Sequence, residues 1–400
     1  MTEMMVGWER NSNDNTLDIA LKVRSSVERV CRIDTRELSS PNDADCSLLS
    51  AVVGLVAGQQ VLAEHIIFDF DITSDLIEIL RELARLLYAT SAFYNKVNIL
   101  SPKLTFTGKP LASYDFSGLV NQSRGVLLLW SGGKDCLYSL RVLREQGYDV
   151  TGIYCAANAN VEALENSAAA RLAAHEELPL LQVGMDLSAL GDLPRPSLAA
   201  FNVYPHANPV PHGRDLILAC TAGLVGRSLG SGVRAGYERD LVGKQVNWKG
   251  VPVWRHDIQS RLGVRLLNDL LVASCGVGFA SPIDGISEYR ILTNLLPDSA
   301  LWTMIQSCFW GRWCGECTKC VRYGVVQLSL GLSSIEFQKN PIESTAFMDF
   351  IADPCARDRP FWEELVVATT DVLGSARWWR DKLEGCSIDV GGMRQALLNS

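Results

Sequence analysis

No stretch of this sequence has both the length and the apolar purity of a membrane span. The longest apolar region, Leu48 to Ala63, carries Gln59-Gln60 and falls short of the about twenty residues a bilayer-crossing helix needs. The start, Met1-Thr2-Glu3, has no basic residue, and Gly7-Trp8-Glu9-Arg10 interrupts any apolar core, so no secretory signal is expected. Basic clusters are missing as well. With 37 Lys and Arg against 45 Asp and Glu, a net charge of −8 and no lysine/arginine run, the chain lacks the basic face that phosphate backbones select. A nucleic-acid partner is therefore not expected. Twelve cysteines in 400 residues are not a disulfide framework, and their usage suits a reducing cytoplasm. A Walker loop, G-x-x-x-x-G-K-[ST], occurs nowhere, and there is no internal repeat or low-complexity segment.

What is present describes a globular chain, 48% hydrophobic and 20% charged, long enough for two domains. Residues 1–112 read as a small α/β domain. Leu17, Ile19, Leu21 and Val23 alternate as in a half-buried strand, with a turn at Arg24-Ser25-Ser26 into a second one. A helix starts near Leu48, a strand covers Ile66 to Phe70, and Ile77 through Phe93 has helical spacing. Asp69 and Asp71 read as the wet face of that strand. A polar linker from Gly108 to Ser123 follows. Over 123–335, strands at Val126–Trp130, Val150–Ala156 and Leu180–Val183 alternate with helices from Lys134 and around Glu162–Ala174, which predicts a parallel sheet. A further helix, Asp215 to Leu229, leads through Gly230 into a strand at 232–235. Residues 336–400 read as mostly helical, with Pro360 at a first helical position.

Two motifs carry chemistry. Trp130-Ser131-Gly132-Gly133-Lys134-Asp135-Cys136 sits between an apolar strand and an amphipathic helix. Glycines there let the backbone approach an oxyanion, and the first N–H groups of the helix face it with the positive end of the dipole. Lys134 adds charge, and Asp135 suits a magnesium ion carried in with phosphates. The second motif is Cys308-x₅-Cys314-x₂-Cys317-x₂-Cys320. Short gaps let several thiolates converge on one tetrahedral ion, and zinc suits sulfur ligands. Four ligands close the shell, which marks a structural ion; an iron–sulfur cluster is the alternative.

The first motif resembles the Ser-Gly-Gly-x-Asp-Ser PP-loop of N-type ATP pyrophosphatases, which cleave ATP between its α and β phosphates. With the cysteine element, two families of that type are similar. Arg312-Trp313-Cys314-Gly315-x-Cys317-x-Lys319-Cys320 resembles the corresponding segment of UDP-N-acetylmuramoyl-L-alanyl-L-glutamate epimerases, whose loop also has a lysine. Their N-terminal domain has a similar element order, closed here by Ala92-Phe93-Tyr94-Asn95, and Ile335 to Asn340 falls where that family continues. Pro211-His212-Gly213-Arg214-Asp215 is instead similar to a Pro-x-Arg-Asn stretch of 7-cyano-7-deazaguanine synthases. Departures are Cys136 where both families have serine, and Tyr237-Glu238-Arg239-Asp240 where the epimerases have Asn-Glu-Arg-Ser.

The resemblance implies an α/β fold with a parallel-sheet, HUP-like PP-loop domain at 123–335, its zinc loop at 308–320, and domains at 1–112 and 336–400 on either side. It implies a cytoplasmic enzyme that uses ATP, Mg2+ and Zn2+ to convert a small-molecule carboxylate to an acyl-adenylate. Ser131, Gly132, Gly133 and Cys136 would contact pyrophosphate, Lys134 would supply charge and Asp135 would hold magnesium. Arg214, Glu238 and Arg239 are further candidates for substrate or metal. His212, His256, Glu238 and Asp240 are acid–base candidates by type. The acceptor is expected to be the terminal glutamate of a UDP-muramoyl peptide, with amide or nitrile formation on a deazaguanine as the alternative. A non-catalytic nucleotide-binding partner is a third reading. Neither a membrane nor a nucleic-acid partner is expected, thiolation of tRNA is set aside by the acidic balance, and homo-oligomerisation is left open.

Overall fold

The computed structural model describes residues 2–23, 28–38, 41–95, 97–98, 101–111, 114, 116, 124–156, 168–193, 213–243, 245–305, 307–308 and 313–346. The expected turn at 24–26, His212, the segment Phe309–Arg312 and the helical reading beyond residue 346, Pro360 included, lie outside them. Two compact units form: one is Met1–Ser131, Ser139–Tyr237 and Leu241–Pro282, the other Gly132–Tyr138, Glu238–Asp240 and the chain from Ile283 on.

The first unit contains β1 (Glu3–Asn11), β2 (Thr16–Val23), β3 (Arg29–Asp34), α1 (Asp43–Val61), β4 (His65–Phe68), β5 (Ile72–Thr73), α2 (Ser74–Asn95), β6 (Lys103–Phe106), β7 (Pro110–Leu111) and β8 (Gly125–Leu129). After α3 (Lys134–Glu145), whose first turn lies in the second unit, come β9 (Asp149–Ala156), α4 (residues 168–175), β10 (Leu180–Asp186), α5 (Ser188–Gly191), α6 (Arg214–Leu229) and β11 (Gly232–Arg234). α7 (Arg239–Val242) leads to the hairpin β12 (Gln245–Trp248) and β13 (Val251–Trp254), then α8 (Arg261–Cys275) and β14 (Phe279–Ala280).

Among the described residues, ten strands make one sheet in the order β14-β11-β8-β9-β10-β3-β2-β1-β4-β6. It is mostly parallel, as expected: β14 through β10 run parallel, and so do β1, β4 and β6. The antiparallel part is the meander β1-β2-β3 and its junction with β10, where Met185 faces Ile33 and Asp186 faces Arg32. Strands of the expected N-terminal and PP-loop segments thus belong to one sheet. β2 buries Leu17, Ile19, Leu21 and Val23 on one face, whereas the centre of β8, Val126-Leu127-Leu128, is buried throughout, as strands covered on both faces are. The polar linker is not wholly irregular, because Pro110–Leu111 pairs with Ile72–Thr73.

α1 departs from the sequence expectation. It runs 19 residues and is long and apolar enough to cross a membrane, yet 89% of its apolar window is buried inside the fold. An Asn42/Asp45 capping box starts it, and Asp45 also receives both ends of the Arg227 guanidinium, at 2.8 and 2.6 Å. A carboxylate so deeply buried requires such a partner. Its apolar character is that of a core helix.

The second unit adds α9 (Glu288–Leu295), α10 (Leu301–Met304) and α11 (Thr318–Ser329) to the start of α3. Trp302, Trp313 and Tyr323 pack edge-on or tilted, with ring centres 5.5–5.8 Å apart, and brace the start of α11.

Candidate functional site

The apolar run of β8 ends at Leu129, and Trp130 fixes the chain beyond it. Its N–H donates to the Ile153 carbonyl at 2.9 Å and its indole Nε1 to the Ala169 carbonyl at 2.9 Å. Ser131 is exposed. Gly132 then takes φ +76°, left-handed backbone that a Cβ would strain, and Lys134 opens α3. The Gly133 carbonyl accepts from the Leu137 N–H at 3.2 Å and from the Cys136 thiol at 3.0 Å. A serine hydroxyl would make the same bond, so the departure at Cys136 preserves the turn.

Lys134 is the centre of a buried ionic group. Its Nζ lies 2.5 Å from Asp135 Oδ1, 2.9 Å from Glu238 Oε2 and 3.3 Å from Glu288 Oε1. Three carboxylates match the three donors of one ammonium. Arg322 closes the group, with Nε 2.6 Å from Glu288 Oε2. The side chains of Lys134, Glu238 and Glu288 are 4%, 6% and 6% exposed, Arg322 19% and Asp135 31%. Asp135 is the member most open to solvent.

The two glutamates respond oppositely to this setting. Burial, reinforced by Asp135 and Glu288, pushes Glu238 well above the usual carboxylate range, and Lys134 does not offset it. Burial also raises Glu288, but Arg322 and Lys134 outweigh it and hold that carboxyl at about 2. Burial disfavours the Lys134 ammonium, yet Asp135, Glu238 and Glu288 keep it charged, well above its ordinary value. Lys319 is lowered, by burial first and then by Arg322 and Lys134. Because burial already disfavours its charged form, Glu238→Gln should cost less stability at neutral pH than Glu288→Gln. Glu288→Gln leaves the Arg322 and Lys134 charges undercompensated and should cost about 3–5 kcal/mol in urea unfolding. Equal losses in the two variants would show that the glutamates are not differentiated.

The structure brings Lys134, Asp135 and Glu238 together. Arg239, next in the chain to buried Glu238, turns outward: it is 38% exposed, with Nε 4.0 Å from Asp240 Oδ1. Asp240 accepts the backbone N–H of Glu288 at 2.9 Å. Arg214 lies in the first unit as the first residue of α6, where its charge acts on Cys155 and Tyr237; neighbouring Asp215 accepts from Gln259 Nε2 at 2.7 Å. His256 is also in that unit. Glu288 and Arg322 were not singled out from the sequence. The available signal was helical spacing on α11, where Lys319 and Arg322 stand three residues apart on either side of Cys320.

The four cysteines converge. The sulfurs of Cys308, Cys314, Cys317 and Cys320 all lie within 4.8 Å of one another, and all four residues are buried. Backbone N–H groups point at three of them: Cys314 N to Cys308 Sγ at 3.5 Å, Glu316 N to Cys314 Sγ at 3.3 Å and Cys320 N to Cys317 Sγ at 3.5 Å. Donors aimed at sulfur stabilise thiolates, the form a metal requires. Gly315, φ +77°, permits the tight bend; a Cβ there would stand 1.9 Å from the Lys339 carbonyl oxygen. The loop is also tied by Gln338 N donating to the Trp313 carbonyl at 2.8 Å. Four sulfurs so placed are compatible with a zinc site.

A family model described as a family of unknown function, DUF6395, matches residues 268–358. That span takes in Glu288, the four cysteines and Arg322, but neither the Ser131–Cys136 turn nor Glu238. No curated protein matches the chain.

Proposed function

We propose that this protein is a PP-loop-type ATP pyrophosphatase that activates a carboxylate by adenylation. The reading rests on one observation: a strand-to-helix turn with Gly132 in left-handed backbone, followed at once by Lys134 and Asp135 in the first helical turn. In this reading a substrate carboxylate oxygen attacks the α-phosphorus of ATP, and the bond from that phosphorus to the α,β-bridging oxygen breaks. Charge grows on the departing pyrophosphate. The main-chain N–H groups of the turn and the start of α3 are preorganised to receive it. Asp135, the carboxylate of the ionic group most open to solvent, would hold a magnesium ion brought with the nucleotide, which supplies charge neutralisation. Lys134 keeps Asp135 and Glu238 in place. The four cysteines would hold zinc in a closed, structural shell.

The acyl-adenylate no longer carries a carboxylate charge, so its α-hydrogen is more acidic. We assign the acceptor as the terminal glutamate of a UDP-muramoyl-L-alanyl-L-glutamate-type precursor. Its α-proton would be removed and one returned on the other face, before water releases AMP and the free acid. The setting is a cytoplasmic small-molecule reaction.

Purified protein incubated with ATP, magnesium and this peptide precursor in deuterated water should release AMP and pyrophosphate. The product should differ from the substrate only in configuration and one deuterium. Incubation with 7-carboxy-7-deazaguanine and an ammonium salt tests the other acceptor, where ammonia displaces AMP from the acyl-adenylate and amide or nitrile formation changes the composition of the product. AMP release with the deazaguanine alone would transfer the activity to that acceptor. Its absence with both would remove both substrates.

A further inference from the structure

The cysteine loop opens α11, and charged contacts run from that helix through Glu288 to the start of α3, all within the second unit. Cys317 caps α11, its sulfur receiving the Cys320 N–H. Two residues past Cys320, Arg322 places Nε 2.6 Å from Glu288 Oε2 and donates from Nη2 to Glu288 Oε1 at 3.3 Å. A guanidinium contacting both oxygens fixes the plane of the carboxylate as well as its charge. The backbone of Glu288 is held too, by Asp240 on its N–H and by the Ser287 cap of α9. The same Oε1 lies 3.3 Å from Lys134 Nζ. The starts of α3 and α9 and the second turn of α11 therefore share one buried ionic group.

We propose that metal occupancy of Cys308, Cys314, Cys317 and Cys320 is thermodynamically linked to phosphate binding at the turn that opens α3. Arg322 and Glu288 are the positioning residues that carry the link. The phosphate half of this proposal rests on the function proposed above. Without an ion, no bond joins the four sulfurs, and the start of α11 is tied to the loop by weak N–H···S contacts of 3.3–3.5 Å. Arg322 follows directly on the first turn of α11, so a small displacement of the helix start breaks its grip on Glu288. The position of Lys134 Nζ is a balance among three carboxylates, and a Glu288 released from Arg322 resets that balance. Main-chain N–H groups one residue away then lose their alignment. Linkage is reciprocal: if the metal tightens nucleotide binding, the nucleotide tightens metal binding by the same factor.

The test titrates magnesium ATP into the full-length chain, zinc-loaded and chelator-stripped, by calorimetry, and follows amide hydrogen exchange over residues 132–138. The stripped protein should bind ATP roughly ten-fold more weakly and exchange faster there. Zinc-loaded Arg322→Ala should reproduce both effects with its zinc content unchanged, and Arg322→Lys, which keeps the charge but not the fork, should fall between. Saturating ATP should tighten zinc binding in the parent by the same factor and not in Arg322→Ala. Should stripping unfold the unit, the zinc-loaded Arg322 variants decide alone. Parental ATP affinity and parental exchange in zinc-loaded Arg322→Ala would overturn the proposal. If even the zinc-loaded parent binds no ATP, the proposed function falls. The structural link is then judged by exchange in Arg322→Ala: faster keeps it, unchanged ends it.

Discussion

Lys134→Ala should lower unfolding free energy by about 3–5 kcal/mol at neutral pH, the usual cost of removing one partner from a buried ionic group. The lysine contacts all three carboxylates of the group, at 2.5–3.3 Å. Without it, Glu238 and Asp135 lose the ammonium they share, and Glu288 loses one of its cationic partners while keeping Arg322. The loss should depend on pH, with a definite sign. In the parent, Glu288 is held at about 2 against an ordinary 4.5, so its contribution is present above 4.5 and disappears as pH falls towards 2. Glu238 is raised, so its contribution is present below its ordinary value and is lost as pH rises through the folded value. In the variant, Glu238 and Glu288 lose the lowering effect of the ammonium and bind protons more readily, so the gap to the parent should widen from acid to neutral pH. Urea midpoints across that range measure it. A gap below about 1 kcal/mol that does not move with pH would mean that Lys134 is not the centre of the group. Lys134→Met separates charge from volume: it should lose nearly as much as alanine, because the aliphatic stem is not what holds the carboxylates.

Cys320→Ser should abolish metal binding and cost more stability than any single ionic change. Cys320 is fully buried, with its sulfur 3.9 Å from that of Cys314, so a shorter, poorly coordinating hydroxyl cannot substitute for it. Zinc content should drop from about one ion per chain to near zero. Because metal affinity of this kind appears as folding free energy, several kcal/mol and a fall of roughly 10 °C or more in Tm should follow. Chelation of the parent should do the same, with recovery on adding zinc back. Cys136→Ser is the matched control. Its sulfur bonds to the Gly133 carbonyl, so zinc content should not change. Visible absorbance from bound iron in the parent would replace zinc with an iron–sulfur cluster. Unchanged metal content in Cys320→Ser would remove the cluster from the account altogether.

Sequence periodicity located the strand before the turn, the helix after it and the glycine that stops α6, because each has a strong local cause. Apolar Val126–Leu129 gives way to Gly132-Gly133, and Gly230 is a left-handed cap with φ +62°. The cysteine loop was legible for the same reason: its ligands fall within thirteen residues, Cys308 to Cys320. β1 was not legible. Its buried Met4 and Val6 alternate over too short a run, with Met5 and Gly7 blurring the pattern. The full extent of α1 was hidden as well, because a helix buried on nearly every side carries no polar face to mark its period. In the charged group, adjacency in the chain misled. Glu238 and Arg239 are neighbours but point apart, while Lys134, Glu288 and Arg322 meet from distant segments. Glu288 alone looks like any acidic residue in a first helical turn, and only the fold gives it a lysine and an arginine.

The seam between β3 and β10 has a consequence for synthesis on the ribosome. Arg29–Asp34 leaves the exit tunnel about 150 residues before Leu180–Asp186, and the two strands share one register. Until the later strand arrives, the three-stranded meander must carry an open edge. The outward side chains there are charged: Arg32 pairs with Asp18 at 2.6 Å, and Asp34 pairs with Arg36. Charges along a waiting edge discourage other nascent chains from adding to it. In the finished protein the same ionic side chains line the border of the joined strands.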